Sequence, residues 1–168
     1  NENPEHKLLQ DAKAILEECF EEFSRKHYEK ISRKLRLSDT ELKQAIDGDN
    51  TEALVLLGMV YMDKGDSANA KAMFQQYVSQ AENGAKGFNG LALCDIEDGD
   101  YDSALSDIES GIHVAGAEDM QSLLFNEIVV YEKKLDFQTA LQKAQEYLEL
   151  YPEDKTVKKE LAFLKTRV

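Results

Sequence analysis

One spacing constrains this chain more than any other feature. Leu57-Gly58, Tyr61, Gly65-Asp66, Ala70 and Phe74 are followed, about 34 residues on, by Phe88, Leu91-Ala92, Gly99-Asp100-Tyr101 and Ala104. A second shift brings Leu124, Ile128, Tyr131, Asp136-Phe137, Ala140 and Pro152 into register. The units are 51–84, 85–118 and 121–154, with Asp119 and Met120 as a two-residue insertion. A unit this short cannot bury its apolar face alone, so successive units must stack.

Each unit has room for two antiparallel helices of about a dozen residues joined by a tight turn. Gly65 and Gly99 fall where the first helix must stop, and Gly accepts the left-handed dihedrals such a stop needs. Ala70, Ala104 and Ala140 fall where two helices approach closely. Tyr61, Phe74, Phe88, Tyr101 and Phe137 fill the space around them. After Pro152, the stripe Val157, Leu161 and Leu164 alternates with Lys155, Lys158, Lys159, Glu160 and Lys165, as expected of a helix that caps an open end.

On these residues the chain over 51–168 resembles the tetratricopeptide repeat family. The third unit departs from the pattern, with Leu135 in place of the turn Gly and Glu127 in place of Leu. Asp95 stands at the Tyr position of the second unit, and Tyr77 and Tyr147 stand where the family prefers Ala. The resemblance implies an all-α fold: a right-handed superhelix of three helix pairs over 48–168, closed by a capping helix at 155–168. It also implies a concave surface lined by the first helices, with Glu52, Val55, Met59, Met62 and Asp63 from the first unit. Lys86, Asn89, Leu93, Ile96 and Glu97 come from the second, and Ser122, Phe125, Val129, Glu132 and Lys133 from the third. The Lys and Asn clamp by which some members hold a terminal carboxylate is absent, since Val55 and Met59 stand where it would begin.

Ala53 to Met62 are ten consecutive apolar positions, counting Gly58. A helix apolar all round must cover both faces. The expected binding residues are therefore Val55, Met59, Met62, Asn89, Leu93, Ile96, Phe125 and Val129, forming a groove for an apolar peptide or helix of a partner protein. The competing occupants are this chain's own first helices and a second copy, which would make a homodimer.

Residues 1–47 follow another pattern. Carrying the repeat backward asks for Gly at 31 and Ala at 36, and the residues are Ile31 and Arg36. Leu8, Ala12, Ile15, Leu16, Cys19, Phe20 and Phe23 predict one long amphipathic helix, and Tyr28, Ile31 and Leu35 a second. Ser38-Asp39-Thr40-Glu41 is a capping box opening a third. The run His27 to Ser38, with Glu41 to Asp47, resembles part of the core-binding region of the bacterial sigma-54 family. That resemblance implies RNA polymerase, not promoter DNA, as a partner of this segment, and makes a role in transcription the alternative to protein scaffolding. In that family the third helix runs on into Leu-x-Pro-x-Pro-Gly, whereas Gly48-Asp49-Asn50 follows here. The change of pattern at Gly48 and the start at Asn1 fit an engineered fusion, with a natural one as the alternative.

The net charge of −13 divides unevenly, −3 over residues 1–50 and −10 over 51–168. Between Lys86 and Lys133 there are eleven acids and no Lys or Arg. Nucleic-acid binding depends on cations that displace phosphate counterions, so the repeats should repel DNA and RNA. A basic partner is one reading of the acidic stretch and a solvated face the blander one. No run reaches the eighteen or so apolar residues of a membrane span. The start shows no signal peptide, although a processed chain would have lost one. The cytoplasm is the favoured compartment, with the bacterial envelope as the alternative for the repeats.

No catalytic or cofactor chemistry is expected. His6, His27 and His113 lack metal-ligand spacing, and Cys19 and Cys94 read as core thiols. The acidic run around Gly99 resembles a calcium loop, but its first, third and twelfth places would be Cys94, Ile96 and Leu105.

Overall fold

The computed structural model describes residues 51–168, with Ala14 the single described position before them. The helices expected over 8–47, and the sigma-54-like run, lie outside the described residues. Among the described residues the structure is all-α, with seven helices and no strand. They are α1 (Thr51–Asp63), α2 (Ser67–Gln80), α3 (Ala85–Asp98), α4 (Tyr101–Val114), α5 (Ala117–Lys133), α6 (Phe137–Leu150) and α7 (Lys155–Leu164). They fall into two compact units that divide between Ala81 and Glu82.

The repeating letters become a repeating turn. After α1, Gly65 N–H donates to the Met62 carbonyl and Asp66 N–H to that of Tyr61. After α3, Gly99 and Asp100 make the same pair of bonds to Ile96 and Asp95, and after α5 Leu135 and Asp136 make them to Glu132 and Tyr131. Each is the Schellman closure that ends a helix on a left-handed residue. The aspartate then caps the next helix. Asp66, Asp100 and Asp136 accept the backbone N–H of Asn69, Ser103 and Thr139 at 3.1–3.2 Å, and a side-chain donor of the same residue at 2.6–2.8 Å. One left-handed residue and the Asp after it thus stop one helix and start the next, folding the chain back on itself.

Leu135 occupies the left-handed position at φ +61°, where the other two turns have Gly at +72° and +78°. Its side chain is 73% exposed, so it gains no burial in return. A left-handed L-residue costs roughly 1–2 kcal/mol, and Gly gives back part of that as backbone entropy. We therefore expect Leu135→Gly to stabilise the chain by about 1 kcal/mol, read as a rise in urea midpoint at unchanged slope. A lower midpoint would contradict this account of the turn.

Ala70, Ala104 and Ala140 are each fully buried. In the first unit Phe74, 1% exposed, packs with its ring over Gly58. In the second unit each helix packs on its successor, and α3 also meets α5. Ala92, Ala104, Ile108 and Val130 form one core, with Ile96, Tyr101, Leu105 and Ile112 around it. Ile128, Ala140, Ala144, Tyr147, Val157 and Leu164 form another, which secures α7. The expected stripe of the terminal helix is the face that packs there.

The departures from the repeat have local partners. Glu127 accepts an ion pair from Lys143 of α6 at 2.9 Å. Tyr77 and Tyr147 are buried where Ala is usual. Asp119 and Met120 lie within the first turn of α5, which has 17 residues where α3 has 14, so the insertion is absorbed as helix. Cys94 is a buried thiol.

Candidate functional site

α3 and α5 run side by side in the second unit, and with the start of α7 they enclose a recess of about 470 Å³. Asn89 and Leu93 of α3 face Gln121, Ser122, Phe125 and Asn126 of α5 across it. Tyr147, Asp154 and Thr156 form the remaining wall. The spacing 89–93 is one helical turn, as are 122–126 and 121–125, which is why these side chains share a face.

Leu93 and Phe125 supply the apolar surface, both half-buried. Asn126 Nδ2 donates to Asn89 Oδ1 at 2.7 Å, tying α5 to α3 at the side of the recess. Asn126 is 8% exposed, a polar group placed deep in a largely apolar wall. At the other side the Tyr147 hydroxyl donates to Asp154 Oδ2 at 2.7 Å and accepts from Gln121 Nε2 at 2.9 Å. Asp154 Oδ1 caps α7 through the N–H groups of Thr156 and Val157, at 2.8 and 3.1 Å. Burial, and then the Asp154 carboxylate beside it, push the Tyr147 hydroxyl up to about 12. The same bond from Tyr147, with the cap bonds, holds the Asp154 carboxyl below the usual carboxylate range. Asp136 is held down by the Thr139 hydroxyl and N–H. Both carboxylates therefore stabilise the fold above their ordinary value of 3.8, and that contribution is lost as the pH falls through their folded values.

The structure brings Asn89, Leu93 and Phe125 of the expected binding residues into this recess. Ile96 instead packs against the core around Ala104 and Ile108. Val129 is half-buried on α5 outside the recess lining. In the first unit Val55 is buried at 7% exposure, Met62 is half-buried and Met59 is 49% exposed. Sequence reasoning missed Asn126, Gln121, Tyr147, Asp154 and Thr156. Tyr147 was visible as a departure from the small residue of the repeat, and a phenol in a core needs a polar partner.

Glu132, near the end of α5, is the second unusual group. Its Oε1 is enclosed with no donor in reach. Glu160 of α7 lies beside it, and burial followed by this neighbour pushes the Glu132 carboxyl up to about 7, against a smaller opposing pull from Lys133. Two ionised carboxylates cannot hydrogen-bond, so the contact favours the protonated form of Glu132. The folded chain then keeps a proton that the unfolded chain releases near 4.5. Stability from this group is full below that value and is lost as the pH rises through about 7. Glu132→Gln should raise the melting temperature at pH 8 by a few degrees and leave it nearly unchanged at pH 4. Parallel pH curves for the two proteins would contradict a raised Glu132 carboxyl.

Residues 52–83 match the tetratricopeptide repeat family model. No curated protein matches the chain. Among solved structures, MamA is 14% identical and aligns over 94% of this chain and 83% of its own, with a TM-score of 0.61. PilF of Pseudomonas aeruginosa is 14% identical over 94% of this chain and 69% of that one, at 0.66. A tetratricopeptide repeat protein from Parabacteroides merdae is 16% identical over 94% and 60%, at 0.63. The fold is that of tetratricopeptide repeat proteins. Nothing in these findings supports the sigma-54 resemblance of residues 27–47 or a fusion at Gly48. Among the described residues no helix is long and apolar enough to cross a membrane, and no three His, Cys, Asp or Glu side chains are grouped to hold a metal.

Proposed function

We propose that this chain is a non-catalytic protein-binding module, and that the recess between α3 and α5 accepts an apolar segment of a partner protein. One observation carries the reading: Leu93 and Phe125, from the first helices of two successive pairs, meet in a single open recess. The fold supports it, since stacked helix pairs present such surfaces repeatedly along one side.

The test is affinity capture from a lysate of the source cells, with the full chain as bait. Proteins retained by the wild type should be lost with Leu93→Glu and with Phe125→Glu, while the circular dichroism and melting temperature of each bait stay near wild type. Capture that survives both substitutions in folded protein would overturn the recess as the binding site.

A further inference from the structure

The recess carries more information than its apolar floor. Asn89 and Asn126 share one hydrogen bond. Whichever way the two amides are turned, one carbonyl oxygen and one amide nitrogen remain after that bond, on side chains that both line the recess. Neither remaining group is sealed from water, so both are open to a guest in the recess. A donor and an acceptor side by side complement the C=O and N–H of a peptide.

The recess also has a single charge. Of the residues lining it only Asp154 is ionisable near neutrality, and no Lys or Arg is among them. The bonds Asp154 accepts from Tyr147, Gln121 and the start of α7 fix its carboxylate in place without cancelling its charge. The chain supplying both long walls runs from Lys86 to Lys133 with eleven acids and no Lys or Arg between them. Leu93 and Phe125, the Asn pair and the carboxylate all line this one recess.

We propose that the guest is a basic segment of a partner protein, whose lysine or arginine lays its aliphatic stem over Leu93 and Phe125, its head toward Asp154 and a peptide group on the Asn89–Asn126 pair. This rests on the reading of the recess as a protein-binding site and names the chemistry of what it takes. Apolar stem and charged head are the two parts of one long cationic side chain, and the recess offers a surface for each. A neutral apolar segment would leave the Asp154 charge unanswered, and an acidic side chain placed against it would be repelled.

A displayed library of random 12-residue peptides, selected on the immobilised full chain, tests this. Enriched peptides should carry Lys or Arg beside Leu, Ile or Phe and lack Asp and Glu. Their binding, followed by fluorescence anisotropy, should weaken about tenfold with Asp154→Asn, which keeps a helix-capping side chain. It should also weaken several-fold between 50 and 300 mM NaCl. Enriched neutral or acidic peptides that are lost with Phe125→Glu but indifferent to Asp154→Asn and to salt would overturn the basic guest while sparing the recess. Peptides indifferent to Phe125→Glu, or no enrichment at all, would overturn both. Self-association of the chain that Phe125→Glu abolishes would make a second copy the occupant and overturn the basic segment.

Discussion

Phe74→Ala is expected to lower the unfolding free energy by about 3–5 kcal/mol. The ring is 1% exposed and is the largest fully buried side chain among the described residues. It lies directly over Gly58 of α1, so close that a β-carbon there would come within 2.5–2.9 Å of three ring carbons. Gly58 is thus a steric requirement, in a helix interior where Gly otherwise costs about 1 kcal/mol relative to Ala. Gly58→Ala should destabilise by about 1–3 kcal/mol despite its better helix propensity. In the Phe74→Leu background that cost should shrink by at least about 1 kcal/mol, because the ring is no longer there to be displaced. Urea unfolding of the four proteins of the cycle measures this, and additive effects would refute the ring-on-glycine contact.

Leu123→Ala should cost about 2–5 kcal/mol. Leu123 is fully buried on α5 and reaches α4, where a β-carbon on Gly111 would fall 2.7 and 3.1 Å from its two methyl carbons and 3.2 Å from Phe88 Cβ. This contact sets how closely α5 approaches α4, and α5 carries Phe125 and Asn126 into the recess. Gly111→Ala should accordingly destabilise by about 1–3 kcal/mol. Guest binding should weaken with it even at temperatures where the variant is fully folded. A Gly111→Ala protein of wild-type stability would show that the α4–α5 spacing is slack.

The period at Gly65, Gly99, Ala70, Ala104 and Ala140 was legible because each position answers a backbone or packing demand that recurs with every helix pair. The same period concealed two features. The aspartate after each turn reads as one more polar loop residue until its side chain is seen capping the following helix. Leu135 reads as a broken turn, yet the Schellman bonds and the Asp136 cap hold it left-handed without glycine. Local hydrogen bonds there outweigh intrinsic preference.

The site was legible in part for a related reason. The family resemblance picked out Leu93 and Phe125, as positions on the face of a first helix that lines the concave surface. It equally picked out Ile96, which turns toward the Ala104 and Ile108 core. One position along a helix separates core from surface by about 100°, and a small rotation of α3 decides the matter. Tyr147 and Asp154 come from later elements, and only tertiary structure brings them beside Gln121. A single sequence carries no signal for contacts 26 and 33 residues apart between unlike side chains.

The most direct test of the central claim is site-specific photo-crosslinking in the source cells. A benzophenone side chain placed at Phe125 should form a crosslink to one apolar or apolar-basic segment of another protein, mapped by mass spectrometry. The same group at exposed Ser106 on α4 should not capture that segment. Equal capture at both positions, or a Phe125 crosslink found only within its own chain, would contradict a partner-binding recess.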